Sequence, residues 1–413
     1  MDTSFRKQIH IIGGGTVNHV RAHLALAAVA YGATARTLAE LCVAHPDCRL
    51  DVQVHLTRMA DGGRGSLETN DDVEQLVRRL TSDPQTKVIF LTAALCDYRG
   101  QIAGEPSDRH ASRLQTAQGE QTMTLTPTEK IVRLVRKERK DITLIACKTT
   151  CGATEDEQYK AGLHLLKTAS CNLVLANDLR SRRNMIITPE EAHYAVTTHR
   201  QEALRELVDI ALARSHLTFT RSTVVAGSSV SWESAEVPVT LRKVVNHLIA
   251  RGAYQPFGGA TVGHFACKVS PTEFLTSKRK TNFNDLAWHG LVRIVTDGPD
   301  SVIAYGSKPS VGGQSQRSIF GRFPEYDCIA HAHVVRRPGS RVPVVSQREY
   351  ECGSHECGQN TAHGLAEFNG ILAVYLDNHG PNIVFKREYD PGEVIRFIED
   401  NFDLTQKIGG NIR

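Results

Sequence analysis

What this chain lacks narrows its class before any motif is considered. No apolar run approaches the ~20 residues needed to cross a bilayer, which argues against a helical membrane protein. Neither sign of charge dominates: 49 basic against 45 acidic residues leave a formal net charge of +4. That is too mild for a dedicated nucleic-acid binder, though a local phosphate site stays open. The glycines form neither a complete G-x-x-x-x-G-K-[ST] nor a full G-x-G-x-x-G. There is no internal repeat and no low-complexity segment. The ten cysteines show none of the spacing of a small disulfide scaffold and read as reduced thiols. Cys352 and Cys357 flank His355 in a C-x4-C that loosely resembles a zinc knuckle, but no matching ligand pair follows. The first residues run straight into a strand-like segment with no signal-peptide core, so the expected location is cytoplasmic.

At 413 residues, 41% hydrophobic and 23% charged, the chain has a globular composition and is long enough for two or three domains. The first half alternates strand-like and helix-like patterns. Strands are expected at Gln8–Ile12, Leu50–Leu56, Lys87–Thr92, Ile142–Cys147 and Leu173–Ala176. Helices are expected at Ala22–Val43, Asp71–Leu80, Thr128–Arg139 and Glu155–Thr168. This alternation implies a Rossmann-like parallel sheet with helices on both faces and ligands at the strands' C-terminal ends. His216–Pro238 breaks the rhythm. Beyond it come a helix at Leu241–Arg251 and short strands at Gly263–Val269, Leu291–Thr296, Val302–Tyr305, Cys328–Ala332, Ile371–Leu376 and Ile383–Lys386. The expected organisation is α/β throughout: a parallel-sheet domain over 1–216, a linker over 217–238, and an α/β domain with a mostly antiparallel sheet over 239–413.

Two histidines in the second half carry the sharpest signal. His331 and His333 stand at i and i+2 of a strand-like stretch, where side chains project from one face and can share one ion. His379, in Asp-Asn-His-Gly, offers a third imidazole from a separate segment. Three protein ligands leave an open position, the arrangement of a catalytic zinc.

In the first half, Ile11-Ile12-Gly13-Gly14-Gly15-Thr16 is a strand running into a glycine turn. Such a turn either lets backbone amides approach a phosphate or is simply tight. Together with Val20-Arg21, Ala93-Ala94-Leu95-Cys96-Asp97-Tyr98-Arg99, the helix start at Thr126-Pro127-Thr128-Glu129 and Ala176-Asn177-Asp178, it resembles the phosphopantothenate–cysteine ligase (DNA/pantothenate metabolism flavoprotein) family over roughly residues 7–214. The resemblance implies a nucleotide site at Gly13, Gly14, Gly15, Thr16, Ala94, Asp97, Arg113, Asn177 and Asp178, served by CTP or ATP with Mg2+. Three departures count against full ligase activity. The family's Lys-x-Lys-Lys becomes His110-Ala111-Ser112-Arg113-Leu114, its Asn-x-Ser-Ser-Gly has no counterpart, and Cys147-Lys148-Thr149-Thr150 lacks its acid.

In the second half, Phe323-Pro324-Glu325-Tyr326-Asp327-Cys328-Ile329-Ala330-His331-Ala332-His333, Gly353-Ser354-His355-Glu356 and Asn378-His379-Gly380 together resemble the class II aldolase/adducin family over about residues 240–388. That resemblance implies Zn2+, or another divalent metal, on His331, His333 and His379, polarising a carbonyl or enediolate oxygen. It also implies a phosphate or substrate pocket at Gly263, Ser277, Lys278 and Ser310, and a homo-oligomer, because active sites of this family lie between subunits. The family's proton-moving glutamate falls here on Gly312, leaving Glu356 and His355 as candidates for the proton-transfer role. Glu356 could equally fix local structure. His264 reads as a surface histidine, with the metal pocket as its alternative, and Lys278-Arg279-Lys280 as an anion site or a solvated loop.

The expected function is zinc-dependent lyase, epimerase or decarboxylase chemistry on a small phosphorylated or carboxylated carbonyl compound, fused to a nucleotide- or pantothenate-binding ligase-like domain. Two alternatives stay open. One is an amide ligase with a structural aldolase-like partner domain; the other is a non-catalytic adducin-like interaction module. The expected partners are a small-molecule substrate and further copies of the chain, with neither nucleic acid nor membrane.

Overall fold

The computed structural model describes residues 6–409. They divide into two compact units. One holds the described residues through Ile187 together with Tyr194–Ser215; the other holds Thr188–His193 and the described residues from His216 onward. Among the described residues no helix is long and apolar enough to cross a membrane.

In the first unit, Gln8–Gly13 carries fully buried Ile9, Ile11 and Ile12, so both faces of this strand are covered. Burial on both faces is the signature of an inner parallel strand. The strand pairs in parallel with Asp51–Leu56 on one side and Thr86–Leu91 on the other. Thr143–Thr150 and Leu173–Asp178 continue the parallel run. Asn184–Ile187 then adds antiparallel, and His193–Thr197 completes a seven-stranded sheet. Ile9, Ile11, Val88 and Phe90 form one core with Leu38, Leu204 and Leu207 of the helices Ala33–Ala44 and Arg200–Ser215.

Ala22–Val43, expected as one helix, is instead a two-stranded hairpin, Val17–Arg21 with Leu24–Ala27, followed by the helix Ala33–Ala44. Leu24-Ala25-Leu26-Ala27 alternates in burial with period two, and Gly32, at φ 74°, turns the chain just before the helix. The Ala/Leu composition masked that alternation. A second hairpin pairs Tyr98–Ile102 with Met123–Pro127, and a further helix spans Arg200–Ser215.

The second unit is built on a ten-stranded sheet, antiparallel at its centre. His264–Ser270 pairs with Glu273–Ser277 on one side and Cys328–His331 on the other, and Cys328–His331 pairs in turn with Gly380–Phe385. Alternate side chains serve two cores. Phe265, Cys267, Leu275, Ala330 and Phe385 pack with Leu241, Val244 and Leu248 of the helix Val239–Ala250, and with Val394 and Ile398 of the helix Pro391–Asn401. Ala266, Phe274, Ile329 and Val384 pack on the other face with Ile319 and Phe320 of the helix Gly313–Arg322, and with Ala362 of the helix His355–Gly364.

Residues 217–238 are not a free linker. Arg221–Val225 joins the sheet edge in parallel with Ser301–Tyr305, while Trp232 and Val237 are buried in the first of these cores. The polar Ser/Thr surface of that edge strand hides it in the sequence, and between it and the next helix the anchors are few: Trp232, Val237 and Val230, which also bridges to Leu291.

Candidate metal centre

Three short segments converge at one end of the second sheet. His331 ends the strand Cys328–His331, and the backbone leaves the ladder before His333. His379 sits in the turn between Ile371–Leu376 and Gly380–Phe385, with its amide bonded to the Leu376 carbonyl at 3.0 Å. Gly380 makes this convergence possible. It lies at φ 120°, and a Cβ there would overlap the Ala332 carbonyl and stand 3.2 Å from His333 Cα. With no side chain, the turn presses against residues 332–333 and brings His379 beside His333.

The three imidazoles are buried, and their ligand atoms lie within 4.8 Å of one another. Ring centroids are 5.0 Å apart for His331–His333, 4.7 Å for His331–His379 and 4.8 Å for His333–His379. His331 Nδ1 donates to the Pro381 carbonyl at 2.8 Å, while its buried Nε2 has no hydrogen-bond partner. A carbonyl on one ring nitrogen that leaves the other bare is how proteins orient a histidine ligand. Burial pushes the His331 pKa down to about 4, opposed by the Pro381 carbonyl, so its imidazole is neutral and able to coordinate near neutral pH. The set suits zinc or another imidazole-binding divalent ion. Among the described residues no other group of His, Cys, Asp or Glu converges in this way; Cys352, His355 and Cys357 do not.

The sheet register places three polar residues in one row. His264 faces His331, and His331 faces Asn382, across adjacent antiparallel strands. Directly opposed residues share a face, here the face of the helix Gly313–Arg322. His264 is therefore a buried residue and not a surface one: it is 3% exposed, with its ring 4.7 Å from that of His331. Its Nδ1 lies 2.9 Å from Gln316 Nε2, and its ring occupies the space that a side chain at Gly312 would need. Burial first, and then the His331 imidazole, push its pKa well below the ordinary histidine value. Gln316 and Asn382 carry no signal in the sequence, because cross-strand register and a helix contact create their position.

The remaining candidates of this unit fall in three places. Gly263, at φ 107°, lets the chain pass His331: a Cβ there would stand 2.6 Å from the His331 carbonyl oxygen. Ser277, Lys278 and Ser310 are brought together by two adjoining segments, with the Ser310 amide on the Ser277 carbonyl at 2.9 Å and a bridge between Lys278 and Pro309. The Ser277 hydroxyl is buried without a hydrogen-bond partner, and burial lowers the Lys278 pKa. Glu356 is engaged elsewhere: its carboxylate accepts from the Thr218 amide at 3.1 Å and from the Thr218 hydroxyl at 2.9 Å.

In the first unit the glycine turn is closed against its own chain. A Cβ on Gly13 would overlap Ala35, on Gly14 Thr57, and on Gly15 the Ala28 carbonyl. The Thr16 amide donates to Ala94, the Ala94 amide to Gly14, and the Thr16 hydroxyl to Asn70 at 2.6 Å. Asp97 pairs with Lys130, Arg113 is exposed, and Asn177 accepts from Thr149 at 3.3 Å. Asp178 is saturated: it accepts from the amides of Ala153, Arg180 and Ser181 and from the hydroxyls of Thr150 and Ser181. The Ser181 amide foremost holds its carboxyl far below the usual range.

No family model matches the chain, and no curated protein matches it. Among solved structures, the N-terminal half is similar to the DNA/pantothenate metabolism flavoprotein from Streptococcus pneumoniae, at 19% identity and TM-score 0.43 over 51% of this chain and 99% of that one. It is also similar to the C-terminal domain of the coenzyme A biosynthesis bifunctional protein CoaBC, at 16% identity and TM-score 0.37 over 50% and 94%. The rest of the chain is similar to an L-fuculose 1-phosphate aldolase, at 18% identity and TM-score 0.31 over 40% and 83%. At these identities and scores the likenesses say nothing about activity.

Proposed function

We propose that the second unit is a metal-dependent enzyme acting on a small phosphorylated or carboxylated carbonyl compound, in a lyase, epimerase or decarboxylase step. His331, His333 and His379 would hold zinc or another divalent ion. The observation that carries this reading is the buried His331 Nε2, left bare while Nδ1 is tied to Pro381, in a cradle of three imidazoles. Leaving that nitrogen buried with no partner would cost about 1–3 kcal/mol, which ligation would remove.

When bound, the ion would supply Lewis-acid polarisation of a substrate oxygen. The protein's own part is to hold and orient. Pro381 fixes the His331 ring, Gly380 lets the turn carrying His379 close on His333, and Ser277, Lys278 and Ser310 offer hydroxyls and an ammonium to an oxyanion. This reading concerns the second unit alone; a nucleotide- or pantothenate-binding role for the first is a separate proposal.

The test is elemental analysis of the purified full-length chain, before and after dialysis against zinc. The expected result is about one equivalent of metal per chain, lost when the histidines are replaced. A chain that stays metal-free after loading would overturn the reading.

A further inference from the structure

We propose that the second unit carries an anion-binding cavity away from the histidine cradle, between the strand His264–Ser270 and the helix Gly313–Arg322. Lys268 and Arg317 hold there the phosphate group of a small phosphorylated compound. The proposal is independent of the metal-centre reading.

The strand explains where the cavity lies. His264 and Lys268 are an even number of residues apart and project from one face, with Lys268 about 13 Å further along. In the register Lys268 stands opposite Phe274, whose ring meets that of Phe320 edge-on at a centroid distance of 5.9 Å. These two rings form an apolar wall, and Lys268 and Arg317 line the same space. A Cβ on Gly321 would meet nothing, so the helix leaves the cavity unobstructed there. The volume is about 290 Å³. That is near the lower end for ligand pockets, about 300 Å³, and suits a compound of a few carbons with one phosphate.

Charge gives the sign of the ligand. Of the charged side chains on the cavity wall, Glu273 is the one carboxylate, and it is already paired with Arg293. Among the described residues Lys268 and Arg317 make no ion pair; their contacts are with neutral groups. Lys268 Nζ donates to the Pro324 carbonyl and lies 5.6 Å from the Phe320 ring centroid. Arg317 donates to the Gly298 carbonyl at 2.8 Å and to the Gln314 side chain at 3.2 Å. Burial lowers its pKa, with Asp300 opposing. Both side chains keep N–H donors beyond these contacts, and Ser270, Thr296 and Ser318 add hydroxyls to the same wall. Two cations and three hydroxyls beside an apolar wall match a phosphate monoester, whose oxygens take charged donors and whose carbons take the rings. A purely structural role would account for Lys268, as a cap on the carbonyls that follow the helix. It does not account for Arg317, which lies within the helix and lines the same cavity.

The experiment is calorimetry on the full-length chain with glycerol 3-phosphate, and with glycerol as the uncharged control. The variants are Lys268→Met, Arg317→Met and Ser270→Asp, with Lys278→Met altering the loop nearer the cradle. The expected result is binding of glycerol 3-phosphate and not of glycerol, weakened about tenfold in each of the first three variants. Lys278→Met is expected to leave this binding within about twofold of wild type. A wild-type chain that binds no glycerol 3-phosphate would overturn the proposal. So would binding that is lost in Lys278→Met and unmoved by the two methionine variants at the cavity. Ser270→Asp keeps both cations and sets a carboxylate among them, so unchanged affinity in that variant overturns the proposal even where a methionine variant fails to fold.

Discussion

His331 donates through Nδ1 to the carbonyl of Pro381 at 2.8 Å, across the same pair of strands that sets His331 opposite Asn382. One backbone oxygen thereby selects both the tautomer and the aim of the ring. Because Pro381 lies two residues beyond His379, the turn that delivers one imidazole also orients another.

That coupling makes His331 a ligand held from behind. His331→Ala is expected to lower zinc affinity by at least about 100-fold, since even loss of a partner behind a ligand costs 10–100-fold. Competition against a chromophoric chelator measures it. Wild-type affinity in this variant would remove His331 from the ligand set.

Glu356 separates a structural role from a catalytic one. Its carboxylate receives the Thr218 amide and hydroxyl, tying the entry of the second unit to the helix His355–Gly364. Glu356→Ala is expected to destabilise the second unit by about 1–2 kcal/mol, with zinc affinity within about twofold of wild type. Denaturant titration and calorimetry report the two quantities independently. Unchanged stability in this variant would count against the structural role.

Much of this was legible in the chain itself. The alternation of strand and helix in the first half, and the short strands of the second, follow from hydrophobic periodicity, which is local. His331, His333 and His379 were legible because like residues at close spacing, set in a matched frame, point to one ion. His264 was legible only as an alternative to a surface residue, since nothing within residues 263–269 says that the strand will lie against Cys328–His331 in the register that pairs 264 with 331. Gly312 likewise read as a missing acid, whereas in three dimensions it is the floor on which an imidazole rests. The hairpin at 17–27 was lost because alanine and leucine serve helix and strand alike, and tertiary packing decided between them.

The glycine turn of the first unit has its own test. Gly15→Ala drives a methyl group into the Ala28 carbonyl and towards Met59 Sδ. Overpacking of this kind costs about 1–3 kcal/mol. Urea unfolding of the first unit is expected to show that loss, with zinc affinity unchanged. A variant as stable as the wild type would mean that the turn has room for the side chain.

The last expectation concerns acid. His10, buried, and His55, half-buried, stand on adjacent parallel strands of the first unit, Nδ1 to Nε2 at 3.0 Å. Burial first, and then the neighbouring His55, lower the His10 pKa to about 4, with Asp83 opposing. Burial lowers that of His55 as well. Between about 4 and the ordinary value of 6.5 the unfolded chain therefore binds a proton at His10 that the folded chain refuses. Stability consequently rises with pH through this window and is lost as pH falls through it. The full effect of His10 is on the order of 3 kcal/mol. Urea midpoints of the first unit at pH about 7 and about 5 measure the slope, and His10→Gln, which cannot take up the proton, is expected to flatten it. An unchanged slope in that variant would assign the acid sensitivity to other groups.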